Sequence, residues 1–290
     1  MNLVVGASGM LGSEICRLLA ERGRPVRALV RAGAAAEKVD ALRALGVELV
    51  EGDLRERASL DAACAGATAV LSTATTITQR REGDSFAATD RDGQIALVDA
   101  ATAAGAEQFV FVSFGELPVD NPLQQAKRAV EQHLERSGLA YTILRPGLFC
   151  EIWLSPAVGF DHENGRVRVF GSGERKINWI SFRDVAAVAV AALDAPAARD
   201  AVIELGGDYL SPREVIRLFE ETTGRSFSVE TVPEEALRAQ VEGAPDELSQ
   251  TFSALMLNVA LGHPGAEPKA AAVLGVQPRG VRDFAADVTA

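Results

Sequence analysis

Apolar positions along the chain alternate between short unbroken runs and helical spacings. Leu3 to Val5 is an apolar run that ends at a glycine, and Leu11, Ile15, Leu18 and Leu19 then recur at the spacing of one helix face. Gly23 stands where such a helix takes a C′ glycine. Pro25 to Val30 predicts a second strand, Ala34 to Leu45 an alanine-rich helix and Val47 to Val50 a third strand. Leu60 to Cys64 predicts a short helix, Ala69 to Leu71 a fourth strand and Thr75 to Gly83 a polar loop. Helices over Gln94 to Ala104 and Gln124 to Ser137 then flank strands at Phe109 to Val112 and Tyr141 to Leu144. The four consecutive apolar residues of Phe109 to Val112 suit a strand covered on both faces. Strands alternating with helices at this rhythm imply right-handed crossovers. The expected fold is α/β, a doubly wound parallel sheet of the Rossmann kind.

Beyond Pro146 the rhythm loosens. Val167 to Phe170 predicts a strand, and Val185, Val188 and Leu193 share a helix face. Ser211-Pro212-Arg213-Glu214 combines an N-cap serine, an N1 proline and an N3 glutamate, which announces a helix through Thr223. Leu248, Phe252, Leu255, Met256 and Val259 mark a further amphipathic helix. The division expected is a nucleotide-binding domain over 1–150 and a smaller α+β lobe over 151–290, laid on the open edge of the sheet. Segments near 178–205, Val202 to Leu205 among them, are expected to rejoin the first domain.

Composition narrows the function. With 29 basic against 40 acidic residues the formal net charge is -11, which argues against a phosphate backbone as the main ligand. At 48% hydrophobic the chain can bury enough apolar surface to fold. Cys16, Cys64 and Cys150 are too scattered for a disulfide framework or a zinc site, and read as buried reduced thiols. His133, His162 and His263 show no metal-ligand spacing. His133 falls mid-helix and is given no role; His162, in the polar loop Asp161-His162-Glu163, could reach a substrate, with a solvated loop as the preferred reading. No apolar stretch approaches the roughly 20 residues of a membrane helix. Met1 to Val5 reads as a strand rather than a basic leader. The expected compartment is the cytoplasm, and the expected partner a small molecule, with no nucleic acid and no membrane; a homodimer is left open.

The sharpest chemical signal is the turn after the first strand, Val5-Gly6-Ala7-Ser8-Gly9-Met10-Leu11-Gly12. Gly6 permits a tight strand-to-helix turn, Gly9 lets backbone approach a pyrophosphate, and Gly12 lets the helix pack close to the sheet. The helix start then offers free N–H groups and a partial positive charge to the phosphates. In the first βα turn of a βαβ series such a glycine pattern is specific. Gly6 through Gly12 are therefore expected to bind a dinucleotide.

The second strand ends at Arg31, where NAD-selective sites carry an acid for the ribose 2′-hydroxyl. A guanidinium pairs with a 2′-phosphate that a carboxylate would repel. NADP(H) is thus favoured over NAD(H). Asp53 after the third strand suits the adenine amino group, with Leu54 packing on the ring, or else an N-cap role for the next helix. Thr73 and Ala74 after the fourth strand, Ser113 after the fifth, and Pro146 and Gly147 after the sixth fall where open α/β sheets bind ligands. Phe149, Cys150 and Trp153 are candidates for the acceptor pocket, with core packing as the alternative.

The glycine turn at 6–12, Val30-Arg31, Gly52-Asp53-Leu54, Val112-Ser113, Lys127 and Leu144-Arg145-Pro146-Gly147 together resemble the atypical short-chain dehydrogenase/reductases. The nearest likeness is to the NmrA-like branch: quinone reductases, isoflavone-reductase relatives and NmrA redox-sensor regulators. Phe182-Arg183-Asp184-Val185-Ala186 resembles a segment of the same group. The resemblance implies a nicotinamide cofactor on the first domain and a substrate between it and the lobe. It also implies that Lys127 binds the cofactor's ribose hydroxyls or acts as a catalytic acid/base, and that Ser113 is a substrate-polarising serine.

The superfamily's tyrosine, four residues before the lysine, is here Leu123. Leucine transfers no proton, so alcohol–ketone interconversion is disfavoured. A conjugated acceptor such as a quinone gives a stabilised anion after hydride attack, which water or Lys127 can protonate. Two readings follow. One is an NADPH-dependent reductase of a quinone or another conjugated acceptor, with Lys127 and Ser113 as its catalytic residues. The other is a non-catalytic NAD(P)(H) sensor. Sugar-nucleotide epimerase chemistry is weaker, since it relies on the same tyrosine.

Overall fold

The computed structural model describes residues 1–265, 271–272 and 274–289. Its centre is a seven-stranded sheet of β1 (Asn2–Val5), β2 (Val26–Val30), β3 (Glu48–Glu51), β4 (Ala69–Ser72), β5 (Gln108–Val112), β6 (Ala140–Pro146) and β11 (Ala201–Leu205). All its pairings are parallel, in the order β11-β6-β5-β4-β1-β2-β3. The chain runs outward from β1 to β3, then crosses back to β4. That leaves a topological switch between β1 and β4, where sheets of this kind bind ligands. β1, β4 and β5 are buried along their whole length, which their continuous apolar runs require once helices cover both faces. Helices α1 (Met10–Glu21) and α7 (Phe182–Ala191) pack on one face through Leu11, Ile15, Leu19, Val185 and Val188. Helices α3 (Arg57–Cys64), α4 (Gln94–Ala103) and α5 (Pro122–Glu135) bury Leu60, Leu97, Val98, Val130 and Leu134 against the other.

One part of the first domain departs from the expected pattern. The polar stretch before α4 is a π-helical segment, Phe86–Gly93, capped by Ser85, whose hydroxyl accepts from the Ala88 N–H at 2.9 Å. Its wider repeat breaks the 3.6-residue period, so the sequence Phe-Ala-Ala-Thr-Asp-Arg-Asp-Gly shows no helical face.

The second lobe carries two small sheets. In one, β10 (Ile177–Ile180) pairs with β7 (Leu148–Phe149) and β12 (Asp208–Leu210). In the other, β9 (Arg166–Phe170) pairs with β8 (Phe160–Asp161) and β13 (Ser228–Val232). Helix α8 (Pro212–Thr223) starts with both halves of the Ser211–Glu214 capping box. Its Phe219 stacks edge-on against Phe160, with ring centroids 4.8 Å apart, in a core shared with Val167, Leu237 and Leu257. The lobe is tied to loops of the first domain. The N–H of Val119, beyond β5, donates to Asn258 of α10 (Glu247–Leu261) at 2.8 Å, and the Asn258 amide returns a bond to the Val119 carbonyl at 2.9 Å. Glu247 accepts from the Phe86 N–H and pairs with Arg80. The loops after β4 and β5 thus hold the lobe above the carboxyl ends of the strands.

Candidate active site

A single cavity of about 830 Å³ runs along the carboxyl ends of the strands, between the sheet and the lobe. The β1–α1 turn forms part of its wall. Gly6 adopts φ +86°, and a Cβ there would stand 2.6 Å from Thr73 Oγ1 and 2.8 Å from the Ala74 nitrogen. Only glycine accepts both the left-handed backbone and that approach. A Cβ on Gly12 would overlap the Gly6 carbonyl oxygen, so the first turn of α1 can lie against the loop only without one. No side chain caps α1, and its first turn holds no acid. The open N–H groups and positive end of that helix therefore face the cavity beside Ser8, Gly9, Met10 and Leu11. This geometry fits a diphosphate.

One end of the cavity is cationic. Arg31 and Lys38 line it, together with Leu29, Asp53 and Leu54. Arg31 is held by a 2.8 Å bond from its guanidinium to Asp84, whose carboxylate is fully buried. Burial pushes the Asp84 carboxyl up, but the Arg81 backbone N–H and the Arg31 guanidinium outweigh it and hold it below the usual range. Asp53 is gripped by Arg55 through both carboxylate oxygens, at 2.9 and 3.1 Å, which lowers its pKa. Helix α3 takes Glu56, not Asp53, as its N-cap residue. Lys38 makes no ion pair among the described residues, and its charge is open to a ligand.

At the other end, Ser113, Leu123, Lys127, Pro146 and Gly147 meet the lobe's Trp153, Asn178, Leu255 and His263. Lys127 projects from α5 and is almost wholly buried. Its ammonium donates to the Val112 carbonyl at 3.2 Å and lies 4.8 Å from the centre of the Phe111 ring. Burial lowers the Lys127 pKa, while Asp90 and Glu131 act against that fall. Ser113 accepts from the Arg128 guanidinium at 3.2 Å, which leaves its own hydroxyl proton free to donate. Arg128 also donates to the Phe114 carbonyl and pairs with Glu131, which in turn binds Arg145 at 2.6 Å. Gly147 admits the close passage of β10, since a Cβ there would come within 2.6 Å of the Asn178 carbonyl oxygen. Burial pushes the His263 pKa down.

Of the residues singled out in the sequence, Gly6, Ser8, Gly9, Met10, Leu11, Arg31, Asp53, Leu54, Thr73, Ala74, Ser113, Lys127, Pro146, Gly147, Phe149 and Trp153 line this cavity. Ala7 and Gly12 stand behind its wall, Ala7 wholly within the core. Cys150 packs into the lobe core and burial pushes its thiol up, as it does for Cys16. Asp184, in the segment Phe182 to Ala186, accepts from the Arg279 backbone N–H at 3.0 Å and so ties the C-terminal segment to α7. His133 bonds Asp99 at the surface, and His162 packs near Phe219. Sequence reasoning missed Lys38, Asn178, Leu255 and His263. Nothing in their local pattern separates them from solvated or core positions, because only the folded chain brings them together.

The chain matches the NmrA-like family over residues 2–262. It belongs to that family. It is 34% identical over 261 residues to an NAD(P)H azoreductase of Xenophilus azovorans, covering 88% of this chain and 86% of that one. It is 32% identical over 280 residues to the isoflavone reductase homolog IRL of Zea mays, covering 90% and 84%. Among solved structures, the NADPH-dependent quinone oxidoreductase QOR2 of Escherichia coli, complexed with NADPH, superposes over 100% of both chains with a TM-score of 0.79 at 22% identity. The azoreductase is named for its use of NAD(P)H, and the likeness to the quinone oxidoreductase shows the fold. Among the described residues no helix is long and apolar enough to cross a membrane, and no group of three His, Cys, Asp or Glu side chains could hold a metal ion.

Proposed function

We propose that this NmrA-like protein is an NADPH-preferring reductase that passes hydride to a quinone or another conjugated small molecule. The observation that carries the reading is the continuity of the cavity. It joins an uncapped helix N-terminus and two cationic side chains at one end to a buried lysine and an apolar wall at the other. A sensor needs only the first half. The second half, with Phe149, Ile152, Trp153 and Leu255, is shaped for a further, apolar ligand.

The N–H groups of the first turn of α1 would hold the diphosphate. Arg31 and Lys38 would take the 2′-phosphate, with Asp84 fixing the guanidinium, and Leu54 would pack on the adenine. Bound there, the nicotinamide supplies hydride. The chain's own part is then to place the acceptor, keep water away and provide a proton. Trp153, Phe149 and Leu255 present apolar surface to a flat acceptor. The Ser113 hydroxyl, fixed by Arg128, donates to an acceptor oxygen or nitrogen as charge develops on it. Lys127 stands ready as the proton donor that Leu123 cannot be. A conjugated acceptor suits this set, because its anion is stabilised and asks little of the acid.

The test is direct. Purified protein mixed with NADPH and a panel of quinones, azo dyes and simple ketones should oxidise NADPH with the first two and leave the ketones untouched. Micromolar binding of NADPH with no acceptor above the uncatalysed rate would instead favour the sensor reading.

A further inference from the structure

Asp90 is a carboxylate that the proposed reaction does not use. It lies in the π-helical segment Phe86–Gly93 and is wholly buried. Its Oδ2 accepts from both the backbone N–H and the hydroxyl of Thr76, at 3.1 and 2.6 Å. Its Oδ1 has no partner among the described residues. A buried carboxylate oxygen without a donor is costly, and a π-helical turn that persists in a fold is frequently tied to a functional site. The neighbouring cation is equally under-used. Lys127 has three N–H donors, of which one is given to the Val112 carbonyl.

The charges around Lys127 come from two elements. Asp90 faces it from the π-helical segment, and Glu131 and Arg128 come from its own helix. β5 contributes the Val112 carbonyl and the Phe111 ring, neither of which titrates. Glu131 is already occupied by Arg128 and Arg145. The π-helical segment of Asp90 packs on α5 through Phe86, Leu123 and Ala126, yet among the described residues no direct ion pair joins Asp90 to Lys127.

We propose that Asp90 is the positioning residue of Lys127, its free Oδ1 accepting from a buried water that also takes one N–H of the ammonium. This satisfies the orphaned oxygen, keeps the amine charged in a site that burial would discharge, and leaves the remaining N–H for the cavity. What the ammonium does next rests on the reductase reading. Its N–H bond breaks as an O–H or N–H bond forms on the reduced acceptor, and the neutral amine regains its proton from solvent between turnovers. Asp90 takes no part in that proton exchange.

The experiment reads Lys127 without needing turnover. The chain's lysines are Lys38, Lys127, Lys176 and Lys269, few enough to follow by ¹³C NMR on lysine-labelled protein, with Lys127→Arg as the assignment control. In Asp90→Asn, which keeps the side chain's shape and its bond from Thr76, the Lys127 titration midpoint should fall by about one unit, a tenfold change in its ratio of protonated to neutral amine. The alkaline limb of the NADPH oxidation rate should fall with it. Should Asp90→Asn not fold, Asp90→Ser removes the same charge and carries the same expectation. An unchanged midpoint in a folded variant overturns the proposal, whether or not turnover is seen. Absence of NADPH turnover in the unmutated protein strikes the reductase reading alone and leaves the NMR result standing.

Discussion

The two ends of the cavity are built on different principles. The diphosphate end is one stretch of backbone, Gly6 to Gly12, whose shape is set by where a Cβ can and cannot go. The acceptor end is a set of side chains brought from far apart: Ser113, Lys127, Trp153, Asn178, Leu255 and His263. A backbone site is fixed by the fold that makes it. A side-chain site can be relined without disturbing the fold, since each residue can change while its element stays put. Relatives of one architecture can therefore keep a common cofactor end and differ in what they reduce.

The largest effects should come from the backbone end. Gly12→Val places side-chain atoms on the Gly6 carbonyl, so α1 must move off the loop. We expect loss of measurable NADPH binding and a melting temperature lower by roughly 4–8 °C, from an overpacking cost of about 2 kcal/mol. Gly9→Ala separates approach from packing. Its Cβ would meet only the Gly6 oxygen, at 3.2 Å, so the melting temperature should hold while NADPH affinity falls about tenfold. Fluorescence titration and a thermal melt decide both. A Gly9→Ala protein that binds NADPH as tightly as the parent would show that the diphosphate does not come near Gly9.

An intermediate effect is expected at the cationic end, where a side chain works beside the backbone cradle. Arg31→Ser removes a charge-assisted bond of about 1.5–3 kcal/mol, which should cut the preference for NADPH over NADH by roughly 10- to 150-fold. NADH affinity serves as the internal control, because Asp84 loses its partner and some stability goes with it. Lys38→Ala, which breaks no ion pair among the described residues, should move the same ratio less and leave the melt alone. Equal NADPH and NADH affinities in the unmutated protein would sink the argument from Arg31.

The same contrast governs what could be read from the sequence. The parallel sheet, its alternation with helices and the glycine turn were legible, since each leaves a local mark: a buried run, a helical period, a glycine at a fixed offset. Lys127 and Ser113 were found through the register of a resemblance, and both line the cavity. Asn178 and His263 left no such mark. Asn178 sits in a short strand of the lobe and His263 follows the end of α10, and only tertiary contact turns either toward the cavity. Asp90 was hidden for a further reason, that a π-helical repeat erases the period by which helices are recognised. The bonds that tie the lobe to the sheet, such as Val119 to Asn258, left no mark either, since no pattern announces single contacts.

The smallest expected effect tests whether the two ends are independent. Trp153 is half-buried, with part of its ring against the lobe core and part facing the cavity. Trp153→Leu keeps an apolar contact to the core but withdraws the flat face from the acceptor. At about 1 kcal/mol of lost apolar contact, KM for a quinone should rise about fivefold. The NADPH dissociation constant should not change, because Trp153 packs on the lobe core while the turn at Ala7 and Leu11 packs on a core of the first domain. Steady-state kinetics at saturating NADPH, beside a direct binding titration, separates the two numbers. If cofactor affinity falls as far as acceptor affinity does, the lobe is shaping the cofactor end as well, and the division between a fixed backbone cradle and an exchangeable wall does not hold for this chain.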